Sequence, residues 1–172
     1  VIGVICNGDE GLQRSIPQSA LTAADPVLVI AAARSWRGTP YHDQASLRGV
    51  GCDCLGFARG VWREVVGAEP FPIPPYSRDL GETGQREVLA EGARRIMVEI
   101  AAANAPPGAL VLFCMGGRGS PGRAIAKHVG ILTGPASFIH ACERLGVVEQ
   151  DLTPVWRRRI AFAFLFPSSD SN

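Results

Sequence analysis

The chain is 172 residues long, 47% hydrophobic, with a formal net charge of +1. That length suits one domain with a substantial core and leaves little for a second, and the near-neutral charge gives no general electrostatic case for nucleic acid or an anionic membrane as partner. No run reaches the roughly 18 to 20 apolar residues that cross a bilayer, and Val1 to Cys6 is too short for a secretory signal. Taken as the start of the chain, this predicts synthesis in the cytoplasm without a signal peptide, and no membrane insertion.

Residues 7–24 are polar, mixed and weakly periodic, so 1–24 reads as an N-terminal arm outside the folded domain, disordered alone and ordered against a partner. Its apolar tip, Val1 to Cys6, suits addition to a partner's sheet edge. Asp25 is a cap and Pro26 fits the first helical position. A helix is therefore expected from Pro26 to about Arg37, with Leu28, Ala31, Ala32 and Trp36 as its apolar side and Gly38 as its stop. In Gly51-Cys52-Asp53-Cys54-Leu55-Gly56-Phe57 a glycine-rich loop gives way to a 3.6-residue stripe of Phe57, Ala58, Val61, Trp62, Val65 and Val66. This predicts a helix over Asp53 to Val66, capped by Asp53. Cys54 then stands in the first turn, where free N–H groups and the helix dipole favour a thiolate, which makes it the candidate nucleophile.

The connector Pro70-Phe71-Pro72-Ile73-Pro74-Pro75 must be extended. Leu89, Ala93, Ile96, Met97 and Ile100 mark a third helix to about Ala103, and the apolar run Ala109 to Met115 a central strand. The segment Gly116 to Gly122 lacks the Gly-Lys-Ser/Thr ending of a phosphate loop and reads as a mobile hairpin loop near the groove. Lys127 to Thr133 and Ser137 to Cys142 read as two strands around a Gly134-Pro135 turn, placing His128 and His140 as cross-strand neighbours on one face. Strands at Val147 to Leu152 and Ile160 to Phe166 follow, then a tail at 168–172. Arg157 to Arg159 is either a solvated strand entrance or a patch drawn to anionic carboxylates or a neighbouring subunit. Helices first and antiparallel strands after make an α+β order.

A thiol nucleophile needs a base, and the histidines are three: His42, His128 and His140. The last two, paired on a hairpin, suit a base oriented by a second polar group. Five cysteines, two of them as close as Cys52 and Cys54, indicate reduced thiols rather than a disulfide scaffold, with Cys6, Cys114 and Cys142 as small core residues. Cys52, Cys54, His128 and His140 also offer zinc ligands, but the C-x-C spacing is tight and no H-x₃₋₅-H pair is present, so no metal and no cofactor is expected.

Asp53-Cys54-Leu55-Gly56-Phe57, Lys127-His128-Val129-Gly130-Ile131 and Ile139-His140-Ala141, with Gly38-Thr39-Pro40-Tyr41 upstream, resemble the motif blocks of the NlpC-type cell-wall cysteine peptidases. The resemblance runs from about Asp25 to Pro167. It implies a peptidase domain over 25–167 with a papain-like fold, the cysteine helix packed on the sheet. It also implies peptidoglycan stem peptides as substrate, cut between γ-D-glutamate and the diamino acid. Cys54 would be the nucleophile, His128 the base and His140 its orienter. Tyr41 would be either a second oxyanion donor or a groove-wall aromatic, and Asp53 either a substrate-binding group or only the cap. The family commonly has serine after the cysteine, which helps bind a free amine; Leu55 puts that demand in doubt. Cys52, Leu55 and Trp156-Arg157-Arg158-Arg159-Ile160-Ala161 resemble the branch encoded with tail genes of bacteriophages and gene transfer agents. That implies tail hub or baseplate proteins as partners and action in the periplasm of a recipient cell. The alternatives are a tail-tip component with a vestigial site, or an acyltransferase or amidase of the same fold.

Overall fold

Leu110 to Cys114 are almost continuously buried, as befits a strand covered on both faces, and everything else is arranged around them. The computed structural model describes residues 22–76, 86–115 and 125–169. Helix α1 (Pro26–Ser35) leads to a two-residue hairpin, β1 (Ser46–Leu47) and β2 (Gly51–Cys52), and then to α2 (Cys54–Val65) and α3 (Val88–Arg94). The strands follow: β3 (Val98–Ile100), β4 (Leu110–Cys114), β5 (Ala126–Gly134), β6 (Ser137–Cys142) and β7 (Gly146–Asp151), then a short helix α4 (Pro154–Arg157) and β8 (Ile160–Leu165). The main sheet is antiparallel with order β3-β8-β4-β5-β6-β7, which is the expected α+β architecture.

One face of the sheet carries Val129, Ile131, Ile139, Ala141 and Phe164 and is covered by α1 and α2. The other carries Val111, Phe113, Leu132, Phe138 and Ala163, against which Trp156 packs. Helix α1 is capped as expected, Asp25 Oδ1 accepting the Val27 N–H at 2.8 Å. Its buried stripe is Val29, Ala33 and Trp36, however, and Leu28 is 60% exposed. In this alanine-rich segment several faces are equally apolar, and the position of Trp36 decides which turns inward. Its ring stands edge-on to Phe57 at 6.1 Å between centroids, and its indole N–H donates to Glu64 Oε1 at 2.9 Å. It lies so close to Gly60 that a Cβ there would sit 1.9 Å from Trp36 Cζ2. Helix α2 runs as expected, from its Asp53 cap to a Val66 C-cap.

The third helix is shorter than expected. It stops at Arg94, and Val98 to Ile100 become the edge strand β3, with Val98 opposite Leu165 and Ile100 opposite Ala163. The apolar residues from Ile96 to Ile100 fit helix and strand spacing alike, and β8 offers an open edge to pair. At the other end, Ala24 N–H donates to Phe166 O at 2.8 Å and Ser168 N–H to Thr22 O at 2.7 Å. Residues 22–24 and Ser168 are thus tied to the folded unit. The Gly116 to Gly122 loop lies outside the described residues.

Candidate active site

The Cys54 helix starts where it does because Asp53 is held from three sides. Asp53 is only 4% exposed. Its Oδ1 accepts the Gly56 N–H at 2.6 Å, closing the first turn of α2. Its Oδ2 accepts the Gln44 N–H at 2.8 Å and the Tyr76 hydroxyl at 2.6 Å. Gln44 is the only non-glycine described residue with positive φ (59°), a strained turn kept by these bonds. Gly56 is required at its position: a Cβ there would lie 1.8 Å from the Ala45 carbonyl oxygen.

Tyr41 is fixed by pairing on both sides. Thr39 O accepts the Val147 N–H at 2.9 Å at the edge of β7, and Pro40 O accepts the Cys52 N–H at 3.0 Å. Its hydroxyl donates to Asp43 Oδ1 at 3.2 Å. Burial and the nearby Cys54 and aspartates push its pKa well up, so it remains a hydroxyl donor.

His128 and His140 meet directly, with His128 Nε2 2.7 Å from His140 Nδ1 and the rings edge to face at 4.9 Å. The register sets Ile131 opposite Ile139, so the imidazoles meet on the diagonal. A bulge stands immediately before His128: Phe113 pairs with His128 but Cys114 pairs with Ala126, leaving Lys127 as the extra residue. Trp156 backs both rings, its centroid 5.9 Å from His128 and 5.4 Å from His140.

Cys54, His128, His140, Tyr41, Asp53 and Tyr76 line one cavity of about 800 Å³. The structure therefore gathers all five residues singled out in the sequence, and adds Tyr76. Tyr76 and Gln44 were missed in the sequence. The available signal was composition: the chain has only two tyrosines, and both line the cavity.

The electrostatics correct one expectation. Cys54 keeps some accessible surface, yet its surroundings are dense enough that burial pushes the thiol up to about 11, against the N–H groups of Val129, Leu55 and Cys54 that favour S⁻. Burial, and secondarily His140, pulls His128 down to about 3. Burial thus favours the neutral form of both groups, against the pull of the helix N-terminus on the thiol. Cys52 is fully buried and pushed up to about 12, chiefly by burial. Among the described residues no group of three or more His, Cys, Asp or Glu side chains is placed to hold a metal ion.

No family model matches the chain. Over 125 residues, 72% of its length, it is 30% identical to the murein DD-endopeptidase MepS/murein LD-carboxypeptidase of Escherichia coli, and it spans about half (54%) of that relative. The NlpC/p60 domain of the peptidoglycan hydrolase SagA superposes with a TM-score of 0.52 at 26% identity, over 81% of this chain and 97% of that one. An NlpC/p60 family protein from Bacillus cereus superposes with a TM-score of 0.55 at 22% identity, over 88% of this chain and 41% of that one. With the helices on one face of an antiparallel sheet, these likenesses fix the fold.

Proposed function

We propose, from the NlpC/p60 fold that this chain carries, that it is a cysteine peptidase acting on peptidoglycan stem peptides. The observation that carries the reading is the single cavity lined by Cys54, at the first position of α2, and by the hydrogen-bonded His128–His140 pair. The thiol proton passes to His128 as sulfur attacks the scissile carbonyl carbon. The oxyanion that forms is met by the Cys54 N–H, with the Tyr41 hydroxyl as second donor once it turns from Asp43 Oδ1, each worth about 2.7 to 4 kcal/mol by analogy. Collapse expels the amine, which takes the proton from His128 and leaves a thioester, and water then hydrolyses the thioester. A neutral resting pair suits this sequence, since the proton moves only as charge develops.

The bond assigned here is γ-D-glutamyl to diamino acid. Digestion of purified sacculi, with mass spectrometry of the soluble fragments, tests it: fragments ending in γ-D-glutamate are expected from the native chain and none from Cys54→Ala. Cuts at the cross-link would keep the peptidase and replace the bond. No release at all would sink the reading.

The setting is a narrower part of the proposal: the tail tip of a phage-like particle, with hub or baseplate proteins as partners. It is supported by Cys52, Leu55 and the Trp156 to Ala161 ending. Particles carrying Cys54→Ala are expected to assemble and bind cells but deliver little DNA. Normal delivery would favour a structural role.

A further inference from the structure

His140 is 3% exposed and its Nε2 has no hydrogen-bond partner, the sole such buried side-chain nitrogen or oxygen among the described residues. A buried ring nitrogen left bare is costly, and here it belongs to the group that contacts the base. The neighbouring strand supplies the natural partner. In the β6–β7 register His140 lies opposite Val148 and Phe138 opposite Gln150, so Gln150 stands diagonal to His140 on the face that carries Phe138 and Trp156.

We propose that Gln150 is a positioning residue, whose amide oxygen takes the His140 Nε2 proton in a hydrogen bond and thereby sets the tautomers of both histidines. The inference rests on the peptidase reading for its purpose but not for its test. With the proton on His140 Nε2, His140 Nδ1 is an acceptor. It then receives a proton from His128 Nε2, and His128 Nδ1 is left bare to act as the base. Were the amide turned to present its NH₂, the relay would reverse and His128 would carry its proton on Nδ1, unable to accept another. Gln150 also counteracts the downward push that burial exerts on His140, although no hydrogen bond to Nε2 is formed at rest. A small movement of the amide completes the chain.

Nitrogen-15 spectra of the imidazoles in the intact chain test this. In the native protein the expected signature is a protonated Nε2 and a bare Nδ1 on both His140 and His128. Gln150→Leu should give a mixture of tautomers and lower kcat on the order of tenfold to a hundredfold with little change in KM. Gln150→Glu, which can only accept, should retain the native tautomers. A native spectrum with His140 protonated on Nδ1 overturns the proposal even if no variant folds. Unchanged tautomers in Gln150→Leu overturn it too, whether or not the chain proves to cleave peptidoglycan.

Discussion

The Tyr76 hydroxyl donates to Asp53 Oδ2 at 2.6 Å, so the carboxylate that caps the cysteine helix has its second oxygen occupied by the wall of the cavity. With Gly56 and Gln44 also bonded to it, Asp53 has little left to offer a substrate amine. Leu55→Ser alone should therefore leave the ratio of cleavage between free and N-acetylated stem peptides near that of the native chain. Leu55→Ser combined with Tyr76→Phe should raise preference for the free amine. Selectivity conferred by the serine alone would show that Tyr76 does not hold the carboxylate back. Tyr76→Phe should also lower the unfolding free energy by about 1.5 to 3 kcal/mol, read from urea melts, as for a hydrogen bond to a charged group.

Alkylation of Cys54 should be slow near neutral pH and keep accelerating into the alkaline range, because burial holds its thiol up to about 11. Iodoacetamide rates across pH, with the labelled site located by peptide mapping, check this. A plateau reached below pH 8 would mean an ion pair with His128 already in the free protein. Cys52, fully buried, should react more slowly still.

His128 imposes a pH dependence on stability. Its folded pKa is depressed to about 3 from an ordinary 6.5, so between those values the unfolded chain binds the proton and the folded one does not. The stability is fully present above about pH 6.5 and is lost as pH falls toward 3. Urea melts of the native chain and His128→Leu should show this acid-side loss in the former and a flatter profile in the latter. Parallel profiles would contradict it.

Gly60→Ala should be severely destabilising for an alanine substitution, by about 1 to 3 kcal/mol, since its Cβ would land 1.9 Å from Trp36 Cζ2. Thermal melts of Gly60→Ala and of Gly60→Ala with Trp36→Phe separate overpacking from helix propensity. Partial recovery in the double variant is the expected result.

Where one pattern excluded the others, the sequence was readable. The stripe from Phe57 to Val66 has a single apolar face, and Leu110 to Cys114 admit only a strand buried on both sides, so both came out as expected. The two histidines flank a turn at distances that force them together. Ambiguity arose where composition is uniform: among Ala31, Ala32 and Ala33 no residue announces the inward side. From Ile96 to Ile100 a helix and an edge strand fit equally well, and only the presence of β8 chooses. Tyr76 was invisible because its partner is 23 positions away and joined to it through a proline-rich connector with no periodicity. The raised thiol was invisible for another reason: desolvation depends on what closes over the sulfur, which no local motif states.

Ala126 and Val129 are three residues apart and yet face the same apolar cluster, which strict alternation forbids. The odd step is absorbed at Lys127, directly ahead of His128. The strand therefore has a parity, and one residue sets it. Were the strand to run regularly through Lys127, with no bulge, either Ala126 would turn away from the helices or His128 would turn away from Trp156 and His140. An alignment that counts Lys127 as one more alternating strand position would match the histidine by letter while placing it on the wrong side of the sheet.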